Sequence, residues 1–182
     1  MNKKALIVID IQNDYFENGA IELVEPVEAS LKARKMIDFF RGRDLPIVHI
    51  QHLSADPNMP IFVPGTFGSE IHENVKPLEG EKVIQKYYPN SFRETDLLDF
   101  LKANEVSEVV ITGMMTHMCV DATTRAAKDF GFDCTVIADT CASRNLEING
   151  KIVKAEDVQN AFLSALTFFY AKVEKTDEFL SA

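Results

Sequence analysis

The stretch Ala5-Leu-Ile-Val-Ile-Asp10 decides the fold class of this 182-residue chain. Five apolar residues follow one another without a polar residue between them, which is typical of a strand that is buried on both faces. Strands of this kind belong to parallel sheets that are covered by helices on both sides. Asp10 ends the run, so we expect its carboxylate at the carboxyl edge of the sheet, where ligands bind in such folds.

The remainder of the chain alternates short apolar runs with longer segments of helical spacing. Further strands are predicted at residues 46–51, 83–85, 109–111, 134–138 and 171–174, and helices at residues 26–40, 96–102, 119–130 and 155–170. This alternation predicts an α/β fold that is doubly wound, with a mostly parallel six-stranded sheet and helices on both faces, a Rossmann-like three-layer α/β/α arrangement. A chain of this length is close to the usual size of one domain, so we expect residues 1–182 to form a single domain.

Composition argues against several classes of partner. The chain has 28 acidic and 19 basic residues, a net charge of −9, and no basic cluster of the kind that binds nucleic acid. No apolar run approaches the roughly 20 residues of a membrane span or the about 7–15 residues of a signal-peptide core. We therefore expect no nucleic-acid partner, no membrane partner and a cytoplasmic location. The turn after Asp10 has no GxGxxG pattern, which argues against a dinucleotide site.

Three side chains that can carry chemistry follow predicted strands: Asp10, Lys86 and Cys119. Only the thiolate form of a cysteine attacks well, and a helix N-terminus favours that form. A neighbouring carboxylate can take the thiol proton, and a neighbouring ammonium is expected to lower the pKa of the thiol. The other two cysteines, Cys134 and Cys141, are predicted to pack in the core, since the chain has no CxxC motif and an odd cysteine count.

Several segments, in order along the chain, carry a family resemblance. They are Val8-Ile-Asp10-Ile-Gln-Asn-Asp14-Tyr-Phe16, Lys86 with Asn90-Ser-Phe92, Gly113-Met-Met-Thr116-His-Met-Cys119-Val, Asp121-Ala-Thr-Thr-Arg-Ala-Ala127, and Val136-Ile-Ala-Asp139-Thr-Cys141-Ala. Together they resemble the isochorismatase-like cysteine hydrolases, which include nicotinamidases and N-carbamoylsarcosine amidases. The match is spread over nearly the whole chain.

This resemblance implies a role for each residue at the predicted edge of the sheet. Asp10 would be the general base and acid, Lys86 its charge partner and Cys119 the nucleophile. A cis peptide is implied at Met114–Met115, and the N–H groups of Met115 and Cys119 would form the oxyanion hole. The implied activity is hydrolysis of small-molecule amide bonds through a thioester, with no cofactor, in a homo-oligomer of two or four chains.

Two departures from the family pattern narrow the expected reaction. Members that cleave the vinyl ether of isochorismate lack the cysteine nucleophile, whereas this chain has Cys119. Nicotinamidases usually carry a metal-binding Asp-x-His motif, and His49, His52 and Asp56 do not reproduce it, so we expect no metal. Two alternatives stay open: a vinyl-ether hydrolase acting on isochorismate, and a non-catalytic α/β binding or assembly subunit.

Candidates for substrate binding are less specific than the catalytic residues. Phe16, Phe62 and Phe92 can form an apolar wall for a small planar amide, although core packing explains each of them equally well. His52 ends a predicted strand and either lines the pocket or satisfies polar backbone. A long loop over residues 53–81, rich in Pro and Gly, is expected to shape the site. The apolar face at residues 161–170 is expected to be core rather than an interface.

Overall fold

A computed structural model describes residues 3–56 and 58–181 of the chain. The main sheet is formed by six strands: β1 (Lys3–Ile9), β2 (Ile47–His52), β3 (Lys82–Lys86), β4 (Val106–Met114), β5 (Asp133–Ala142) and β8 (Lys172–Glu174). These strands are parallel and lie in the order β3-β2-β1-β4-β5-β8. The helices are α1 (Pro26–Arg41), α2 (Leu97–Ala103), α3 (Asp121–Asp129), α4 (Ala155–Thr167) and α5 (Thr176–Ser181). The predicted doubly wound, three-layer fold is therefore confirmed.

The apolar run of β1 supplies both cores because its side chains alternate between the two faces of the sheet. Ala5, Ile7 and Ile9 join one core with residues of α2, α3 and α4. Leu6 and Val8 join the other core, which is covered by α1 and α5. Burial on both faces is consistent with the central position of β1 in the sheet. Because β1 is central, its end lies at the middle of the carboxyl edge of the sheet.

Two small elements were not expected from the sequence. A hairpin of β6 (Leu146–Ile148) and β7 (Lys151–Val153) lies outside the main sheet. Asn149 and Gly150 both have positive φ in its turn, as the Asn-Gly dipeptide between two short apolar segments could have indicated. Helix α5 also escaped prediction, because its six residues are too short for a helical pattern to stand out.

The apolar face at residues 161–170 was expected to be core, and the structure confirms this only in part. Helix α4 ends at Thr167, and the following Phe168 and Phe169 are 93% and 64% exposed. Only part of the expected face is core, since Leu163 and Leu166 are buried. Among the described residues, no helix is both long enough and apolar enough to cross a bilayer.

Candidate active site

Parallel strands bring three of the predicted residues to one edge of the sheet. Asp10 follows β1 directly, Lys86 ends β3, and His52 ends β2 between them. His52 and Lys86 are partners in the β2–β3 register, so their backbones are adjacent. The long side chain of Lys86 can then reach past β2 to the end of β1. The long side chain of Lys86 therefore spans the gap between the end of β3 and Asp10 at the end of β1.

Asp10 and Lys86 form a buried ion pair. Lys86 Nζ lies 2.8 Å from Asp10 Oδ2, and both side chains are fully buried. The same ammonium donates to the carbonyl oxygen of Pro89 at 2.8 Å. Within the described residues, neither carboxylate oxygen of Asp10 accepts a well-directed hydrogen bond, so the ammonium contact is an ion pair with poor hydrogen-bond geometry. Acceptor capacity is thus left free at the centre of the site.

Opposing effects set the pKa values of this pair. Burial disfavours the charged Asp10, but the Lys86 ammonium and His52 outweigh it and hold the pKa of that carboxyl below its ordinary value. Burial also disfavours the charged Lys86, while Asp10 and Cys119 stabilise the ammonium and raise its pKa. Both residues are therefore charged in the resting site.

Cys119 lies on a π-helical turn, Thr116–Val120, which leads into α3. The Met115 carbonyl oxygen accepts from the N–H groups of Met118 at 3.1 Å and Val120 at 3.2 Å. These two bonds bracket the N–H of Cys119, and π-turns of this kind are frequent at functional sites. The implied cis peptide at Met114–Met115 is confirmed.

The expected activation of the Cys119 thiol at rest is wrong. Burial raises the pKa of the thiol, the Asp10 carboxylate raises it further, and the Lys86 ammonium offsets only part of this effect. Sequence spacing suggested the reverse because it shows the ammonium and the helix start but not the degree of burial. A protonated thiol next to an ionised carboxylate requires base assistance at the moment of attack.

His52 is closer to the chemistry than sequence reasoning indicated. Its Nδ1 lies 3.7 Å from Cys119 Sγ and 3.7 Å from Asp10 Oδ2. Atoms of the three residues lie within 4.8 Å of one another, a spacing that a shared metal ion also requires. A cation there would lie against the Lys86 ammonium, so the cluster suits proton transfer better than metal binding.

The segment after Asp10 fixes the long loop to the sheet, which sequence reasoning missed. The buried Gln12 amide donates to the carbonyl oxygens of His52 and Ser69 at 2.9 and 2.8 Å, and accepts from the His52 N–H at 2.8 Å. Asp14 accepts from the Phe62 N–H at 2.6 Å. A run of polar residues directly after a buried strand was the available signal, but their partners lie about 40 to 60 positions away.

The three phenylalanines predicted to line the pocket occupy different surroundings. Phe62 is buried, with ring centroids 5.5 Å from His52 and 4.9 Å from Tyr15. Phe16 stacks on His72, with centroids 3.6 Å apart. Phe92 packs against Phe130 and Phe132 in the core on the α3 side. The ring of Phe62 therefore lies beside His52, whereas Phe92 shares a core cluster with Cys119.

Tyr15 is a further neighbour of the cluster that the sequence did not single out. Its side chain is buried, and burial together with the negative charges of Asp10 and Asp14 raises the pKa of its hydroxyl. It remains a neutral phenol, and its ring packs edge-on against Phe62.

Backbone geometry at the sheet edge is unusual at two adjacent points. Asp10 has φ +51°, a left-handed conformation that non-glycine residues adopt rarely and often at functional sites. Gly113 in β4 pairs with Ile9 and has φ +135°, and a Cβ atom there would lie 2.0 Å from the Ile9 carbonyl oxygen. The close approach of β4 to β1 therefore requires glycine at this position.

A cleft of about 600 Å³ lies away from these residues, between α1, the end of β5 and α4. Its charged groups include Lys32 and Asp139, which pair with each other at 3.0 Å. Asp139 also accepts from the N–H and hydroxyl of Thr176, each at 2.8 Å. Lys32 and Asp139 therefore already have partners in this cleft, and we assign the chemistry to the buried cluster of Asp10, His52 and Cys119.

Comparison with known proteins agrees with the geometry. The profile of the isochorismatase domain matches residues 4–178. YddQ, an uncharacterized isochorismatase family protein of Bacillus subtilis (strain 168), is 49% identical over 176 residues, which cover 97% of this chain and 98% of that protein. A crystal structure of an isochorismatase hydrolase from Oleispira antarctica has a TM-score of 0.95 and 44% identity, covering 100% of this chain and 97% of the other. The crystal structure of N-carbamoylsarcosine amidase from Thermoplasma acidophilum has a TM-score of 0.81 and 28% identity, covering 96% and 97% of the two chains. The chain therefore belongs to the isochorismatase family of hydrolases.

Proposed function

We propose that this hydrolase cleaves amide bonds of small molecules through a thioester on Cys119, with Asp10 and Lys86 completing the catalytic set. The observation that carries the proposal is the fully buried Asp10–Lys86 ion pair beside a buried thiol. A thiol forms a thioester readily, and a fixed carboxylate can take its proton. The similar N-carbamoylsarcosine amidase supports C–N bonds as the target.

The proposed reaction begins with a substrate carbonyl oxygen held by the N–H groups of Met115 and Cys119. Asp10 removes the thiol proton as the sulfur attacks the carbonyl carbon, and the oxyanion is stabilised by these two donors. The C–N bond then breaks, a proton goes to the nitrogen, and a thioester remains. Water hydrolyses the thioester and the thiol is restored. Lys86 keeps Asp10 ionised between turnovers, and no cofactor takes part.

Enclosure of the site favours a small substrate. Cys119 is only 3% exposed, and Phe62 and Tyr15 lie close to the cluster. A long peptide could not reach the sulfur without a rearrangement of the loop at residues 53–81. We therefore propose small amides, ureides and lactams as the substrate class.

A screen for released ammonia or amine over such compounds tests the proposal. With an active compound, Cys119→Ala should abolish turnover because no thioester can form, and intact-mass analysis of the wild type should show the acylated chain. Cys134→Ala is the matched control, since Cys134 lies in β5 within the core. Hydrolysis that continues unchanged in Cys119→Ala would overturn the proposal.

Isochorismate, used as a test substrate, distinguishes the two alternatives, a vinyl-ether hydrolase and a non-catalytic binding or assembly subunit. Vinyl-ether hydrolysis would release pyruvate and needs no thiol, so it would persist in Cys119→Ala. A binding or assembly subunit would show neither pyruvate release nor an acylated cysteine.

A further inference from the structure

We propose that His52 is a catalytic proton relay that connects the buried Asp10–Cys119 pair with the leaving nitrogen and with the hydrolytic water. The inference rests on the proposed amidase function and names the residue that completes its proton path. It differs from the expectation that His52 only lines the pocket or satisfies polar backbone.

The position of one ring nitrogen is the first observation. His52 Nδ1 is equally distant, 3.7 Å, from Cys119 Sγ and from Asp10 Oδ2. Contacts between catalytic groups are often long before substrate binds and shorten in the complex. The same nitrogen can therefore exchange a proton with either partner.

Exposure is the second observation. The side chains of Asp10 and Lys86 are fully buried and Cys119 is 3% exposed, whereas the side chain of His52 is 18% exposed. Within residues 3–56 and 58–181, ring Nε2 has no hydrogen-bond partner. His52 is thus the member of the cluster that can carry a proton between the buried carboxylate and a substrate or water at the opening.

The protein fixes residue 52 mainly through its backbone. The Gln12 amide binds both the N–H and the carbonyl oxygen of His52. The backbone is further fixed by the pairing of His52 with Lys86, and the ring lies against Phe62. These contacts fix the backbone from which the ring extends toward Asp10 and Cys119.

Protons balance along this route. In the first half, the thiol proton passes to Asp10 as the S–C bond forms. Asp10 then gives it to Nδ1 while Nε2–H protonates the nitrogen and the C–N bond breaks. In the second half, water gives a proton to Nε2 as its oxygen attacks the thioester. Nδ1 returns a proton to Asp10, which delivers it to the departing thiolate, and the imidazole regains its first tautomer.

The test uses p-nitrophenyl acetate, because p-nitrophenolate leaves without a proton. Acetylation of Cys119 then does not need the relay, but removal of the acetyl group by water does. In His52→Gln we expect a stoichiometric burst of p-nitrophenolate, then turnover at least about 100-fold slower than in the wild type. Intact-mass analysis should show the acetylated chain, and hydroxylamine, which attacks without a base, should release the acetyl group.

Two further variants make the result decisive. His52→Asn keeps a polar atom near the Nδ1 position but cannot pass a proton across the ring, so it should behave like His52→Gln. His72→Gln, which removes a ring stacked on Phe16, should match the wild type. Wild-type steady-state turnover in folded His52→Gln and His52→Asn would overturn the relay. A wild type that never becomes acetylated at Cys119 would instead overturn the proposed function beneath it.

Discussion

At the scale of single residues, the Asp10–Lys86 pair places two opposite charges where no water reaches them. A buried pair of this kind is weak evidence for stability, since desolvation offsets much of the attraction. Removing one partner, however, leaves an uncompensated buried charge. The pair therefore links the activity of the site to the stability of the chain.

Asp10→Asn should show both effects. We expect it to abolish hydrolysis and to lower the free energy of unfolding by about 3–5 kcal/mol, because the Lys86 ammonium loses its counter-charge. Urea denaturation and the hydrolysis assay measure the two effects separately. The double variant with Lys86→Met removes the stranded charge and should regain most of the stability without any activity. If Asp10→Asn unfolds like the wild type, the two charges are not coupled as the structure places them.

Residue identities at the site were predictable, but their chemical state was not. Asp10, Lys86 and Cys119 stand after apolar runs and within recognisable segments, so a single sequence is enough to select them. The pKa of Cys119 depends on its burial in the folded chain and on Asp10, which is distant in sequence. Local patterns cannot show such burial, and the prediction of a lowered thiol pKa failed for this reason.

At the scale of elements, the contact between β1 and β4 decides where Asp10 lies. We expect Gly113→Ala to cost about 1–3 kcal/mol of stability by overpacking and to reduce hydrolysis strongly, since its Cβ would displace Ile9, the neighbour of Asp10. Thermal unfolding and steady-state assays measure the effects. Gly80→Ala is the matched control: Gly80 also has positive φ, but its Cβ would meet no atom within 4 Å. Equal effects of the two substitutions would argue against a β1–β4 contact this tight.

A second element contact joins α1, β2 and the turn before β3. Glu81 accepts two bonds from Arg41, at 2.7 and 2.9 Å, and one from the Leu78 N–H at 2.9 Å, and it contacts His49 at 3.0 Å. Burial alone would raise the pKa of Glu81, but these partners lower it to about 2. The carboxyl therefore binds its proton less readily in the folded chain than in the unfolded chain.

This difference predicts a pH dependence. Because the folded pKa lies below the ordinary value of 4.5, the contribution of Glu81 to stability is complete above pH 4.5 and is lost as the pH falls toward about 2. Glu81→Gln should therefore be less stable than the wild type at pH 7, with a gap that narrows through that window. Urea denaturation at a series of pH values measures it. A gap that is constant with pH would contradict the assignment.

Element prediction succeeded where the period of the apolar pattern was clear. Among the residues that the structure describes, all six strands of the main sheet and four of the five α-helices were expected, although the structure lengthens β4 and β5 beyond their apolar centres. The additional residues of β4 and β5 are held by hydrogen bonds to neighbouring strands. A local sequence pattern carries no information about such pairing. The connection of Gln12 to His52 and Ser69 is likewise tertiary, and no short-range signal predicts it.

At the scale of the whole molecule, Phe168 and Phe169 extend from the end of α4 into solvent. Replacing both with Ser should change the stability of the monomer by less than about 0.5 kcal/mol, because an exposed ring makes few contacts to lose. Denaturation measured over a range of protein concentrations tests this. A loss above 1 kcal/mol at every concentration would contradict the exposed position.

The expected dimer or tetramer stays a prediction, and sedimentation velocity measures it directly.

The burial of the Asp10–Lys86 pair also separates the site from the surrounding electrolyte. Mobile ions screen charges at the surface over about 10 Å in 0.1 M salt, but they do not enter a dry interior. The protein is strongly acidic overall, so the approach of a charged substrate will vary with ionic strength. Once substrate is bound, the charges that act on Cys119 are the same in dilute buffer and in brine.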